Sequence, residues 1–164
     1  MILRFMQGTS WESIAITLQE KTCMPFVPSH VEALTQDGGF YIGAHVKGGV
    51  MKRPVDYDAA TIAVDPTTGK KRELLLDLET TPEQDKVFFD FLDRHLGQKY
   101  DWRAIIGFLL PKHEHTPNTA ICSALIALAL RSCSYLQWPL AAPAHLVNPR
   151  DLLLILSARM HVPM

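Results

Sequence analysis

The sequence predicts an α+β chain in which helices pack on one face of a small antiparallel sheet or partial barrel. Three observations predict it. A stretch around Asp37-Gly38, "SHVEALTQDGGFYIGAHV", has the pattern of a β-hairpin. A second turn, "DPTTG", separates two further runs of strand-forming residues. The remaining periodic segments read as helices and mostly follow the strands, instead of alternating with them as in a parallel α/β fold. With 164 residues, and neither repeats nor low-complexity linkers, the chain reads as one domain spanning 1–164.

The elements follow in order. "TSWESIAITLQEKT" reads as a helix capped by Thr9 or Ser10, with Trp11, Ile14, Ile16 and Leu18 on its apolar side. "PFVPS" breaks it and leads into an extended run. A hairpin turn at Asp37-Gly38, or a four-residue loop from Gln36 to Gly39, sets the same register. Leu34 then faces Tyr41, Glu32 faces Gly43, and His30 faces His45. "GGVMKRPVDY" reads as a turn and a short strand ending at Pro54, and "ATIAVDPTTGKKRELLLDL" as another hairpin. "TTPEQDKVFFDFLDRHLG" predicts a helix capped by Thr80 or Thr81, with Pro82 in its first turn and Gly97 beyond its end. Val87, Phe88, Phe91, Leu92 and Leu96 form its apolar face. "DWRAIIGFLL" reads as a short helix stopped by Pro111. "AICSALIALALRS" is apolar nearly all round and reads as a buried helix. "NPRDLL" reads as a turn or helical start.

Composition narrows the function classes. A formal net charge of −1 gives no electrostatic argument for a nucleic-acid partner. No stretch approaches the roughly 18 uncharged apolar residues of a membrane span. The opening "MILRFMQGTSW" is too short for a signal peptide, so the expected setting at synthesis is cytoplasmic. Cys23, Cys122 and Cys133 are an odd set without a CxxC pair, which argues against a disulfide framework or a zinc site and for a reducing setting. "KHEHTP" at 112–117 is better read as a polar loop than as a metal cluster. No metal and no cofactor is expected.

One constellation carries chemistry. Cys122 opens the buried helix, where unpaired N–H groups and the helix dipole favour a thiolate. A thiolate nucleophile needs a base, and the base needs a polar group to orient it. His30 and His45, opposed on one strand face, supply a base and an orienter, and Glu32 on the same face is an alternative orienter. The competing reading is structural, since free cysteine commonly packs as a small hydrophobe. Cys133 lies at a helix end, where the dipole disfavours a thiolate, and Cys23 reads as packing.

The order of these segments resembles a known family. "PSHVEAL" at 28–34 precedes "ICSALIALAL" at 121–130, with "LGQKYDW" at 96–102 between them and "NPRDLL" at 148–153 after them. The segment "IGAHVKGGVMKRP" follows the histidine strand. Together they resemble the circularly permuted papain-like group of NlpC-type cell-wall hydrolases. That group includes the YiiX-like bacterial and phage proteins and, more distantly, the lecithin:retinol acyltransferase-like enzymes. The resemblance implies a permuted papain-like fold over essentially the whole chain, with Cys122 as nucleophile and His30 as base. It places the third polar residue at His45 and makes Tyr100 a candidate oxyanion donor. Many relatives carry a glutamate after the "CS" pair, where this chain has Ala124. The implied activity is a thiol hydrolase working through a thioester on peptide or peptidoglycan amides. A lipid ester or acyl-transfer substrate is the alternative, and a non-catalytic module that kept the fold is another. A cell-wall substrate would call for delivery by a phage or a secretion machine.

Overall fold

The computed structural model describes residues 1–9, 26–57, 61–100, 119–136, 144 and 147–160. The expected helices at 9–22 and 101–110, the 112–117 loop and Cys23 lie outside the described residues.

Seven strands and three helices are described: β1 (Ile2–Met6), β2 (His30–Leu34), β3 (Phe40–His45), β4 (Gly49–Pro54), β5 (Glu73–Asp77), α1 (Pro82–Arg94), β6 (Lys99–Tyr100), β7 (Thr119–Ala120), α2 (Cys122–Ser132) and α3 (Pro149–Met160). The first five strands form an antiparallel sheet ordered β4-β3-β2-β1-β5, and β6 pairs with β7 in parallel. The α+β class follows from this layout.

The predicted β2–β3 register is observed, with Ala33 opposite Ile42 and Leu34 opposite Tyr41. The connection is the four-residue loop. Thr35 N–H donates to Phe40 O at 2.8 Å, and Asp37 Oδ1 accepts from Gly39 N–H and the Thr35 hydroxyl. Gly38 takes φ +70 at its tip, a conformation glycine adopts without penalty.

The sequence reading missed β1. Its alternation places Leu3 and Phe5 in the core and Arg4 on the other face. It lies between β2 and β5, making it an interior strand. The expected hairpin over 60–78 also needs correction. Asp65 accepts from the Thr67 and Thr68 N–H groups, and Val64 bridges to Lys71, so a tight turn exists. The next residues leave it: β5 pairs with β1, from Ile2 opposite Asp77 to Met6 opposite Glu73. A one-dimensional pattern cannot distinguish a local partner from a distant one.

Helix α1 begins with a capping box. The Gln84 N–H donates to Thr81 Oγ1 at 3.2 Å, and the Thr81 N–H donates to Gln84 Oε1 at 3.1 Å. Its fully buried residues are Phe88 and Leu92, whereas Val87 and Leu96 are each 40% exposed, so the apolar face is narrower than predicted. Helix α2 is buried on nearly all sides, with only Leu128 of its leucines turned outward. It packs on β2, β3, α1 and α3. Asn148 caps α3 by accepting the Asp151 N–H at 2.8 Å.

The sheet therefore has two chemically distinct faces. Leu3, Phe5, Val31, Ala33, Ile42, Ala44 and Val50 form the core face beneath the helices. Arg4, Glu32, His30 and His45 belong to the alternate face, yet Arg4 and Glu32 are almost wholly buried. Between these faces, at the first residue of β2, the sheet meets the start of α2. No helix among the described residues is long and apolar enough to cross a membrane.

Candidate active site

Cys122 is the first residue of α2, and the preceding residue, Ile121, is an N-cap with no side-chain capping bond. An apolar N-cap leaves first-turn N–H groups without a side-chain oxygen, available to another acceptor. Here the acceptor is the Cys122 sulfur, which the backbone N–H groups of Val31 and Ser123 contact. The site is closed, with Cys122 only 2% exposed.

The Cys122 thiol is in hydrogen-bonding contact with the His30 ring. His30 Nε2 faces away from it, 3.5 Å from Glu32 Oε2. Nδ1 is thus the nitrogen left for the sulfur. His45 approaches the same carboxylate oxygen, with its Nε2 at 3.8 Å, and its ring lies 4.9 Å from that of His30. The His–His ring bond allowed by the sequence reading does not form: both Nε2 atoms turn to Glu32, and among the described residues neither makes a short, well-aligned hydrogen bond. The room for this arrangement comes from Gly43, opposite Glu32, where an added Cβ would stand 3.0 Å from the Glu32 Cβ.

Glu32 is held from two further sides. Arg4 Nη1 donates to Oε1 at 3.1 Å, and the Tyr57 hydroxyl donates to Oε2 at 2.9 Å. Arg4 in turn binds Glu73 Oε2 through Nε and Nη2, at 2.9 and 2.8 Å, and lies over the Tyr41 ring. A buried carboxylate needs such partners to stay charged. The sequence reading singled out neither Arg4 nor Tyr57. The only trace of Arg4 was one charge inside the alternating "ILRFM", and Tyr57 sits in a turn with no pattern at all.

These contacts set the charge states. Burial opposes a charged His30, but the Cys122 charge, its hydrogen bond and Glu32 outweigh it and raise the pKa to about 10. Burial likewise pushes the Cys122 thiol up, but the His30 charge and the hydrogen bonds outweigh it and hold the thiol below its ordinary value. The favoured pair is thiolate and imidazolium. His45 has no such compensation: burial, then the charges of His30 and Arg53, lower its pKa to about 2, so it is neutral. Cys133 sits at the C-cap of α2, donating to Leu130 O, and burial raises its thiol.

Tyr100 lies in β6, opposite Ala120 of β7 and two residues from Cys122 in the adjoining strand, with its ring against the core. The fold thus brings Cys122, His30, Glu32 and His45 together and places Tyr100 beside the strand that feeds Cys122.

No family model matches the chain, and no curated protein matches its sequence. Its structure is similar to the crystal structure of metalloprotein yiiX from Escherichia coli O157:H7, with a TM-score of 0.58 at 18% identity. The likeness covers 88% of this chain and 76% of that one, and it is a likeness of fold.

Proposed function

We propose that the protein is a cysteine hydrolase that cleaves acyl compounds through a thioester on Cys122. One observation carries this reading: a cysteine at an uncapped helix start contacts an imidazole that is backed by a buried, charge-paired carboxylate. A packing cysteine needs none of these partners. On this reading His30 is the base and Glu32 its orienter, while neutral His45 packs beside them. The histidine strand ahead of the cysteine helix is the order of the permuted papain-like arrangement, which we adopt as the fold assignment.

The steps follow from the charges. The Cys122 thiolate attacks the carbonyl carbon, forming a C–S bond while the carbonyl pair moves to oxygen. The oxyanion meets N–H groups at the start of α2, and the Tyr100 hydroxyl is the candidate additional donor. His30 gives its proton to the leaving nitrogen or oxygen, and the acyl bond breaks. His30 then takes a proton from water, whose oxygen attacks the thioester and releases the thiolate. Amides of peptidoglycan stem peptides are the first substrate class, and lipid esters are the second.

The structural neighbour is named a metalloprotein. The atoms here that would hold a metal are Nε2 of His30, Nε2 of His45 and Oε2 of Glu32. They fit one, because both nitrogens are buried and, among the described residues, meet only the Glu32 carboxylate at long range. A bound divalent ion would place a positive charge against Glu32 and would require His30 to give up its Nε2 proton.

The test is to incubate purified peptidoglycan and phospholipid separately with wild type and Cys122→Ala, following products by mass spectrometry. Wild type is expected to release peptide fragments that Cys122→Ala does not. Lipid products alone would move the assignment to the esterase class, and no product from either would remove the substrate claim.

A further inference from the structure

We propose that β5 is a docking edge for a second copy of this chain, the two β5 strands pairing antiparallel about a twofold axis at Leu75. Two five-stranded sheets would then join edge to edge into one continuous sheet. The pairing does not depend on the chemistry of Cys122.

The sheet has two edges, and they differ. β4 is covered: Val50 N–H donates to Gln98 O, and Gly97 N–H donates to Val50 O, each at 2.8 Å. Lys52 and Pro54 follow on the same strand, and both residue types discourage edge-to-edge pairing. β5, at the other edge, reads ELLLD, with no lysine, proline or glycine to interrupt it. Leu75 is 55% exposed and Leu74 is 40% exposed. A hydrophobic edge strand in that state is a template for another strand.

The main chain of β5 is set to receive one. Gln7 N–H donates to Arg72 O at 3.0 Å, and Leu78 N–H donates to Met1 O at 2.8 Å. Hydrogen-bonded pairs alternate along an antiparallel ladder, so Leu74 and Leu76 turn their polar groups to β1. Leu75 and Asp77 turn theirs outward. So does Glu73, whose N–H is already taken by Lys71 O. Among the described residues no hydrogen bond takes the outward groups of Leu75 and Asp77.

The strand is its own complement. ELLLD runs through the same residue classes in either direction. A twofold axis at Leu75 therefore sets Leu75 against Leu75, Leu74 against Leu76, and Glu73 against Asp77. An isologous contact requires this self-complementarity. The two Leu75 residues would exchange N–H to O bonds, and each Asp77 N–H would donate to the facing Glu73 O. Like charges opposite one another oppose pairing. Their effect is small here, because Arg4 binds Glu73 Oε2 through Nε and Nη2, while the Asp77 side chain is 79% exposed to water. The twofold keeps each side chain on its own face. Leu75, opposite Arg4, meets its counterpart on the face that carries Glu32. Both sites would then face the same side, with the two β2 strands five spacings, roughly 24 Å, apart.

Two short strands bury less than a standard interface, so the dimer is weak and concentration-dependent. Sedimentation velocity of the full chain is expected to move from monomer toward dimer between about 2 and about 200 µM, with a Kd on the order of 10–100 µM. Leu75→Glu sets two carboxylates against each other across the twofold, while each lies opposite Arg4 in its own chain. Its Kd is expected to rise at least about tenfold with thermal melting close to wild type. Leu154→Glu, on an exposed position of α3, is expected to dimerise as wild type does. Leu75→Cys, oxidised with copper phenanthroline and read by peptide mapping, is expected to give a disulfide between the two copies of position 75. Opposed Cα atoms of a hydrogen-bonded pair stand about 5.5 Å apart, within disulfide reach. This cross-link decides the matter if Leu75→Glu does not fold. The proposal is overturned if wild type stays monomeric throughout, which would leave the edge to a different strand. It is equally overturned if folded Leu75→Glu dimerises as wild type does, or if Leu75→Cys cross-links only through the native cysteines.

Discussion

The contact with His30 is what separates Cys122 from an ordinary buried thiol, and Glu32 adds a smaller contribution through His30. Both His30 and Cys122 are buried, and burial alone would leave each neutral. Glu32 supplies negative charge to His30, and His30 supplies positive charge to Cys122. A depressed thiol pKa means that the thiolate is present above that pKa and is lost as pH falls through it. Labelling of Cys122 by iodoacetamide should therefore reach its plateau at lower pH than that of an ordinary thiol, whose value is 9.0. Cys133, whose thiol is raised, should gain reactivity only as pH rises past that value. Glu32→Gln keeps a hydrogen-bonding amide but removes the charge. We expect it to move the Cys122 labelling limb to higher pH by about one unit, a factor of about ten in rate below the new limb. An unchanged limb would show that Glu32 does not act on the pair. The sequence placed Glu32 on the correct face but could not rank it against His45, because the ranking depends on where Arg4 and Tyr57 reach.

At the scale of elements, the site depends on how closely β6 approaches β4. Gly97 N–H donates to Val50 O, and Val50 N–H donates to Gln98 O, each at 2.8 Å. These bonds bring the 98–100 segment against the sheet, where it pairs on to β7 and the start of α2. Gly49 makes the approach possible. Its φ is +72, and an added Cβ would stand 2.1 Å from Gln98 O. Gly49→Ala would meet backbone there, not a side chain that can swing away. We expect it to destabilise the protein by about 2 kcal/mol or more, measured by urea unfolding, and to slow Cys122 labelling. A midpoint equal to wild type would show that β6 does not depend on this contact. The "GG" pair was visible in the sequence as a turn, but its second glycine answers to a strand some fifty residues further on. That demand leaves no local signal.

At the scale of the whole molecule, Arg4 ties three parts together. It lies in β1, binds Glu32 of β2 beside His30, and binds Glu73 of β5 at the sheet edge. Removing one partner from a buried ion network strands the others. Arg4→Met, similar in length and uncharged, should destabilise the protein by about 3–5 kcal/mol in urea unfolding and weaken the Cys122 thiolate. A loss under about 1 kcal/mol would mean that the network is solvated and contributes little. The sequence alone established the α+β class, the β2–β3 register, a threonine cap for α1 at Thr80 or Thr81, and the order of His30 before Cys122, and the structure put the cap at Thr81. Each of these follows from local chemistry: a turn sets which residues oppose, a threonine caps its own helix, and alternation assigns a face. Only the tertiary structure decided that β1 is interior, that β5 leaves its own turn to pair with β1, and that two imidazoles converge on one carboxylate. Those outcomes depend on partners distant in the chain and on side-chain placement to a few tenths of an ångström. Packing determines that placement, and no local pattern carries it.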